Sequence, residues 1–209
     1  MTRFALVGDS LSSGAGSPGG AMASVLRAGG HEVVVDAKVG RSYGSFLRED
    51  PDRRVAALAA ARPQVVVVAL GTNDIGLAPA VELERIRDLH GRLRAATGAP
   101  VFAFGPPSFA PGHRLTSGRA ELVALERQVY GARFVDLGPL TGAAPRTSDG
   151  IHFTAAGGDQ LGRRMAAALT RALQPAPPIA AGLLALGLAA LLFWPRGRLS
   201  RRELLGLRP

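Results

Sequence analysis

The chain has 209 residues, 47% of them hydrophobic, enough for one domain with a real core and too apolar for a disordered polymer. It contains no cysteine, which excludes disulfides, thiolate metal sites and a cysteine nucleophile. The formal charge is +9, yet no basic stripe is interleaved with aromatics, so nucleic acid is not an expected partner.

Phe4–Val7 is a short apolar run that predicts a strand and ends at Gly8-Asp9-Ser10-Leu11. The apolar stretch at this N-terminus is about five residues, below the ~7–15 of a signal peptide, so no export signal is expected. Met22–Ala28 predicts a helix closed by Gly29-Gly30, and Val33–Val35 a β-branched strand. Asp52–Ala61 reads as a helix that stops before Pro63. Val65–Leu70 is apolar throughout, as a strand covered on both faces should be. In Pro79–Ala96, Leu83, Ile86, Leu89 and Leu93 share one helical face. Val101–Phe104 is a strand, Ala120–Val129 a helix, and Phe134–Val135 a short strand. Thr154 reads as the N-cap of a helix carrying Leu161, Met165, Leu169 and Leu173 at i, i+4 spacing.

This is βα repeated five times. Parallel strands need crossover connections, so the pattern implies an α/β fold: a five-stranded parallel sheet between helices. In such sheets the functional loops leave the carboxyl ends of the strands.

The composition changes after Gln174, dividing a domain of residues 1–174 from a segment of residues 175–209. A proline-rich linker precedes Ile179–Trp194, sixteen uncharged residues that predict a C-terminal apolar helix. At ~1.5 Å per residue it would span about 24 Å, a little short of the ~30 Å hydrocarbon core. Trp194 and the arginines after it suit a membrane interface, so a transmembrane helix is expected, with burial in a protein partner as the alternative. The basic tail favours a cytoplasmic C-terminus, whereas the missing export signal opposes an external domain; the side of the membrane stays open.

Four loops at strand ends carry chemistry. They are Gly8–Leu11, Ala37–Gly44, Gly71-Thr72-Asn73-Asp74 and Thr147–Phe153. A serine attacking an ester needs a base for its proton and donors for the oxyanion. Ser10 is the candidate nucleophile. His152 is the candidate base, since an imidazole's reference pKa of about 6.5 suits neutral pH. Asp149 can hold the imidazole's tautomer and stabilise its cation. Asn73 offers an amide, and Gly40 or Gly44 an unhindered N–H. Taken singly, Ser10, Asn73-Asp74 and Asp149-Gly150 all suit caps and turns; one catalytic site accounts for all the loops together.

Gly8-Asp9-Ser10-Leu11, Gly40, Gly71-Thr72-Asn73-Asp74 and Asp149-Gly150-Ile151-His152 resemble, in order, the four blocks of the SGNH (GDSL-type) hydrolases. The resemblance covers roughly residues 3–173. It implies a flavodoxin-like three-layer α/β/α fold and esterase, lipase, thioesterase or carbohydrate-deacetylase activity without metal or organic cofactor. It implies Ser10 as nucleophile, His152 as base supported by Asp149, and an oxyanion hole of the Ser10 N–H, the Gly40 N–H and the Asn73 amide. The second block matches least, and Gly44 is the alternative to Gly40.

The expected function is therefore a serine esterase acting on short acyl esters of a small molecule, glycan or lipid, with acyl transfer as a variant outcome. A rival serine lies in Gly40-Arg41-Ser42-Tyr43-Gly44, a G-x-S-x-G that in α/β-hydrolases forms a nucleophile elbow. It ranks lower because the elbow needs a strand directly before it. Outside catalysis, the glycine-rich loop after the first strand suits a phosphate or flavin binder, and the C-terminal segment a membrane-tethered module.

Overall fold

The structure, a computed structural model, describes residues 1–174, of which Met1–Leu173 form a compact unit. Five strands form one sheet: β1 (Arg3–Gly8), β2 (Glu32–Ala37), β3 (Val65–Ala69), β4 (Val101–Phe104) and β5 (Phe134–Val135). The order is β2-β1-β3-β4-β5 and every pairing is parallel. The helices are α1 (Pro18–Ala28), α2 (Tyr43–Arg48), α3 (Pro51–Ala60), α4 (Pro79–Thr97), α5 (Thr116–Tyr130), α6 (Leu137–Thr141) and α7 (Ala155–Leu173). The expected linker, apolar helix and arginine tail lie outside the described residues. Among the described residues no helix is long and apolar enough to cross a membrane.

Alternation along the strands sorts the core into two layers. Ala5, Val7, Val66 and Val68 pack with Val55 and Leu58 of α3, Ile86, Leu89 and Leu93 of α4, and Leu122 of α5. Phe4, Leu6, Val65 and Val67 face the other way, onto Met22 and Leu26 of α1 and Leu161, Met165 and Leu169 of α7. The chain steps from β2 across β1 to β3, so the strand order reverses there and leaves a crevice outside the carboxyl ends of β1 and β3.

Two features differ from the sequence expectation. Helix α1 begins at Pro18, capped by the Ser17 hydroxyl accepting from the Gly20 N–H at 3.1 Å; Gly19 and Gly20 conceal that start from a propensity reading. Helices α2 and α6 are too short to show a period in the sequence.

Helix α7 meets α1 at unusually close range. A Cβ on Gly158 would lie 2.0 Å from the Gly16 carbonyl oxygen, and one on Gly162 2.5 Å from the Ala21 Cβ. Only glycine permits this approach. It brings the loop before α7, which carries His152, against the loop after β1, which carries Ser10. Thr154 starts α7 as expected, its hydroxyl accepting from the Gly157 N–H at 3.2 Å.

Candidate active site

Strand β1 ends at Gly8, and a short 3-10 turn over Ser10–Ser12 follows. Asp9 caps that turn, its carboxylate accepting the Leu11 N–H at 2.8 Å. Ser10 therefore occupies the first position of the turn at the sheet's rim, while Asp9 points inward at 1% exposure. Burial raises the Asp9 carboxyl to about 7, opposed by the Leu11 N–H and reinforced by the charge of Asp74.

The second component is a small hairpin, residues 146–153, closed by a bridge between Arg146 and Phe153. The Thr147 N–H donates to the His152 carbonyl at 3.0 Å, and Gly150 makes the turn at φ 71°, a conformation that favours glycine. One oxygen of Asp149 accepts the Ile151 N–H at 2.9 Å, the His152 N–H at 3.0 Å and the Thr147 hydroxyl at 2.7 Å. The other lies 2.5 Å from His152 Nδ1. Across the crevice His152 Nε2 lies 2.9 Å from Ser10 Oγ, joining residues 142 positions apart.

Carboxylate, imidazole and hydroxyl thus form one hydrogen-bonded chain. With Nδ1–H donating to Asp149, the lone pair of Nε2 faces the serine hydroxyl, the arrangement that lets imidazole accept its proton. The His152 imidazole first, then the Ile151 N–H and the Thr147 hydroxyl, hold the Asp149 carboxyl well below the usual carboxylate range. The pair is not buried: the side chains of His152 and Asp149 are 42% and 46% exposed.

The third component comes from the loops after β2 and β3. The Asn73 amide donates to the Arg41 carbonyl at 2.9 Å, and its nitrogen lies 3.4 Å from an Asp9 carboxylate oxygen. The amide thus links the loop after β2, through Arg41, to the loop after β1, through Asp9, the residue before Ser10. Gly40 is exposed, with φ 72° and open space where a side chain would project. Gly44, the alternative to it, sits inside α2 with its N–H directed to the Asp74 carboxylate. A Cβ there would lie 2.9 Å from the Arg85 guanidinium.

Ser42, the rival serine, is the N-cap of α2. It exchanges hydrogen bonds with Ser45: its hydroxyl accepts the Ser45 N–H at 3.0 Å, and its own N–H donates to the Ser45 hydroxyl at 2.9 Å. Strand β2 ends at Ala37, so no strand leads directly into Ser42, and His152 meets Ser10 instead.

Beneath the donor loops lies a buried acidic cluster that sequence reasoning missed. Asp74 accepts the Tyr43 N–H at 3.1 Å and is hydrogen-bonded to the Ser42 hydroxyl and to Glu82. The Tyr43 hydroxyl donates to Glu126 at 3.0 Å. Glu126 packs so tightly under Gly71 that a Cβ there would lie 2.8 Å from its carboxyl oxygen. Burial pushes Asp74, Glu82 and Glu126 upward, and the facing charge of Asp74 reinforces the rise at Glu82 and Glu126. The signal was present: Glu82 is in helical phase with Ile86, Leu89 and Leu93, and Glu126 with Leu122 and Tyr130. A carboxylate on an apolar face is one that must find a partner.

An open cleft of about 330 Å³ lies beside Ser10 and His152, lined also by Ser13, Gly16, Ser17 and Phe153. On the far side of Asp9, a hollow of about 20 Å³ lies among Leu11, Phe104, Pro107 and Leu137. No group of three or more potential metal ligands occurs among the described residues.

Comparison with solved structures places this architecture among known hydrolases. The chain is similar to the lipase/acylhydrolase from Enterococcus faecalis (TM-score 0.62, 21% identity, covering 85% of this chain and 100% of that one). It is also similar to the acetyl xylan esterase AlAXEase (TM-score 0.66, 16% identity, 80% and 99%) and to TesA (TM-score 0.62, 25% identity, 82% and 99%). No curated protein sequence matches it. The family model for the GDSL-like lipase/acylhydrolase family matches residues 6–160, a span that holds every loop described above. The chain belongs to that family, the SGNH hydrolases, which act on ester bonds.

Proposed function

We propose that the protein is a serine esterase in which Ser10 is the nucleophile, His152 the general base and Asp149 its orienting carboxylate. The observation that carries this reading is the continuous chain from Asp149 through His152 to Ser10 Oγ. Ser10 Oγ attacks the ester carbonyl as its proton passes to Nε2. The resulting oxyanion takes hydrogen bonds from the Asn73 amide and from the N–H groups of Ser10 and Gly40. His152 then returns the proton to the leaving alkoxide, the C–O bond breaks, and an acyl-enzyme remains. Water repeats the sequence and frees the acid; an alcohol in its place gives acyl transfer.

The acyl group is short, of acetyl size. The cleft is open and of mixed polar and apolar lining, and the apolar hollow on the other side of Asp9 holds about one methyl group. Esterases on acetylated xylan with this fold agree with that size class. The apolar segment 179–194 gives the enzyme a membrane tether, which co-sedimentation of the full chain with anionic vesicles tests; no binding removes the tether and leaves the chemistry untouched.

A fluorophosphonate label followed by peptide mapping tests the reaction class and names the serine. The label is expected on Ser10, absent from Ser10→Ala and retained in Ser42→Ala. Higher kcat/KM on a decanoyl than on an acetyl ester overturns the short-acyl assignment.

A further inference from the structure

His152 and Asp149 pose a problem of placement. Both side chains are nearly half exposed, so packing alone does not hold the imidazole where Ser10 needs it. Its position depends on the backbone of the 146–153 hairpin, which also carries the Asp149 carboxylate bonded to it. That hairpin lies on the surface and contains a glycine in the left-handed region. A displacement of about 1 Å at a reacting group can cost on the order of 10²-fold in rate.

One side chain outside the four sequence blocks answers the problem. Arg146 Nη1 donates to the Ile151 carbonyl at 2.8 Å and reaches the Gly150 carbonyl at 3.4 Å. Its Nη2 donates to the carbonyl of Ser108, in the loop after β4. The guanidinium carbon stands 4.3 Å from the centre of the Phe153 ring, which closes the hairpin's other strand. One planar fork thus ties the two residues between Asp149 and His152 to a neighbouring loop of the sheet's rim. Besides it, the Ala110 N–H donates to the Gly150 carbonyl at 3.2 Å.

We propose that Arg146 is a positioning residue: it clamps the acid–histidine hairpin to the loop after β4, and reaction at Ser10 depends on the clamp. This rests on the serine-esterase reading above. A lysine at 146 has no planar fork and serves at most part of the set, so the geometry is specific to guanidinium. Arg146 touches neither Ser10 nor the imidazole; it acts through the backbone that carries Asp149 and His152.

The test uses the full-length chain and a fluorophosphonate probe, reading the second-order labelling rate at Ser10 beside the melting temperature. Arg146→Ala is expected to label about 10- to 100-fold more slowly while remaining folded, and added guanidinium ion is expected to restore much of the rate. Arg146→Lys is expected to fall between wild type and Arg146→Ala. A rate within about twofold of wild type overturns the proposal, and so does a loss that guanidinium does not restore. If Arg146→Ala fails to fold, Arg146→Lys decides: slower labelling at an unchanged melting temperature supports the clamp, and wild-type labelling ends it. Wild-type protein that takes no label at Ser10 breaks the esterase reading itself, a result distinct from an unaffected Arg146 variant.

Discussion

The two halves of the proposed site are held in opposite ways. The donor half, around Arg41–Gly44 and Asn73-Asp74, rests on the buried carboxyls of Asp74, Glu82 and Glu126, cut off from water and raised by that burial. The proton-transfer half, Asp149 and His152, stands nearly half in solvent and is held by short local hydrogen bonds. Oxyanion donors must not move as charge develops, so a rigid, dry foundation suits them. A base that passes protons to a leaving group and from water needs solvent at hand. Substitutions in the first half therefore endanger the fold, and substitutions in the second endanger only turnover.

The strongest test of that division is Asp149→Asn. It should lower kcat by about 10²–10⁴-fold, since an amide cannot hold the imidazole in the required tautomer. The melting temperature should stay near wild type because the residue is exposed and screened. A large loss of stability would break the comparison. Next in size, Asn73→Ala should cost about 10²–10³-fold in kcat. It should also soften the loop, because the Arg41 carbonyl loses its donor. Full turnover in that variant would remove Asn73 from the oxyanion hole.

The smallest effect is on stability against pH. The buried Asp9 carboxyl is raised from the ordinary value of about 3.9 to about 7. Between those values the folded protein keeps a proton that the unfolded chain has released. Stability from this group is thus full below about pH 4, declines through that window and levels off above about 7. Asp74 and Glu82 shift in the same direction. Asp149, lowered, acts oppositely, its contribution fading only as pH falls below the ordinary carboxylate range. The melting temperature should therefore fall between pH 5 and pH 7.5, on the order of a few kcal/mol in stability, and Asp9→Asn should flatten the slope. A flat wild-type profile would show the donor half to be wetter than described.

How much of this was legible in the sequence follows from the range of each interaction. Val65–Leu70 announced β3 because a strand covered on both faces must be apolar. Ser10, Asn73, Asp149 and His152 were legible as candidates because their loops sit at strand ends and match known blocks. Tyr43, Glu82, Glu126 and Arg146 were not. Each acts through a partner distant in sequence or through a backbone carbonyl, and neither kind of contact has a local letter pattern. Glu82 and Glu126 did break the apolar face of their helices, a sign that was readable and was passed over. Ser42 shows the reverse case: its G-x-S-x-G spacing is that of a nucleophile, but its surroundings are those of a helix cap, as the missing strand before it indicated.

The glycine row of α7 has a consequence for anyone altering this protein. With Gly158 and Gly162 seated on Gly16 and Ala21, the gap between hydroxyl and imidazole is gauged by a seam that starts at the cleft's edge and runs inward between α1 and α7. A single methyl at Gly162 would act as a wedge, prising the two loops apart without touching a reacting atom. Such an enzyme would keep its whole catalytic inventory and lose its aim.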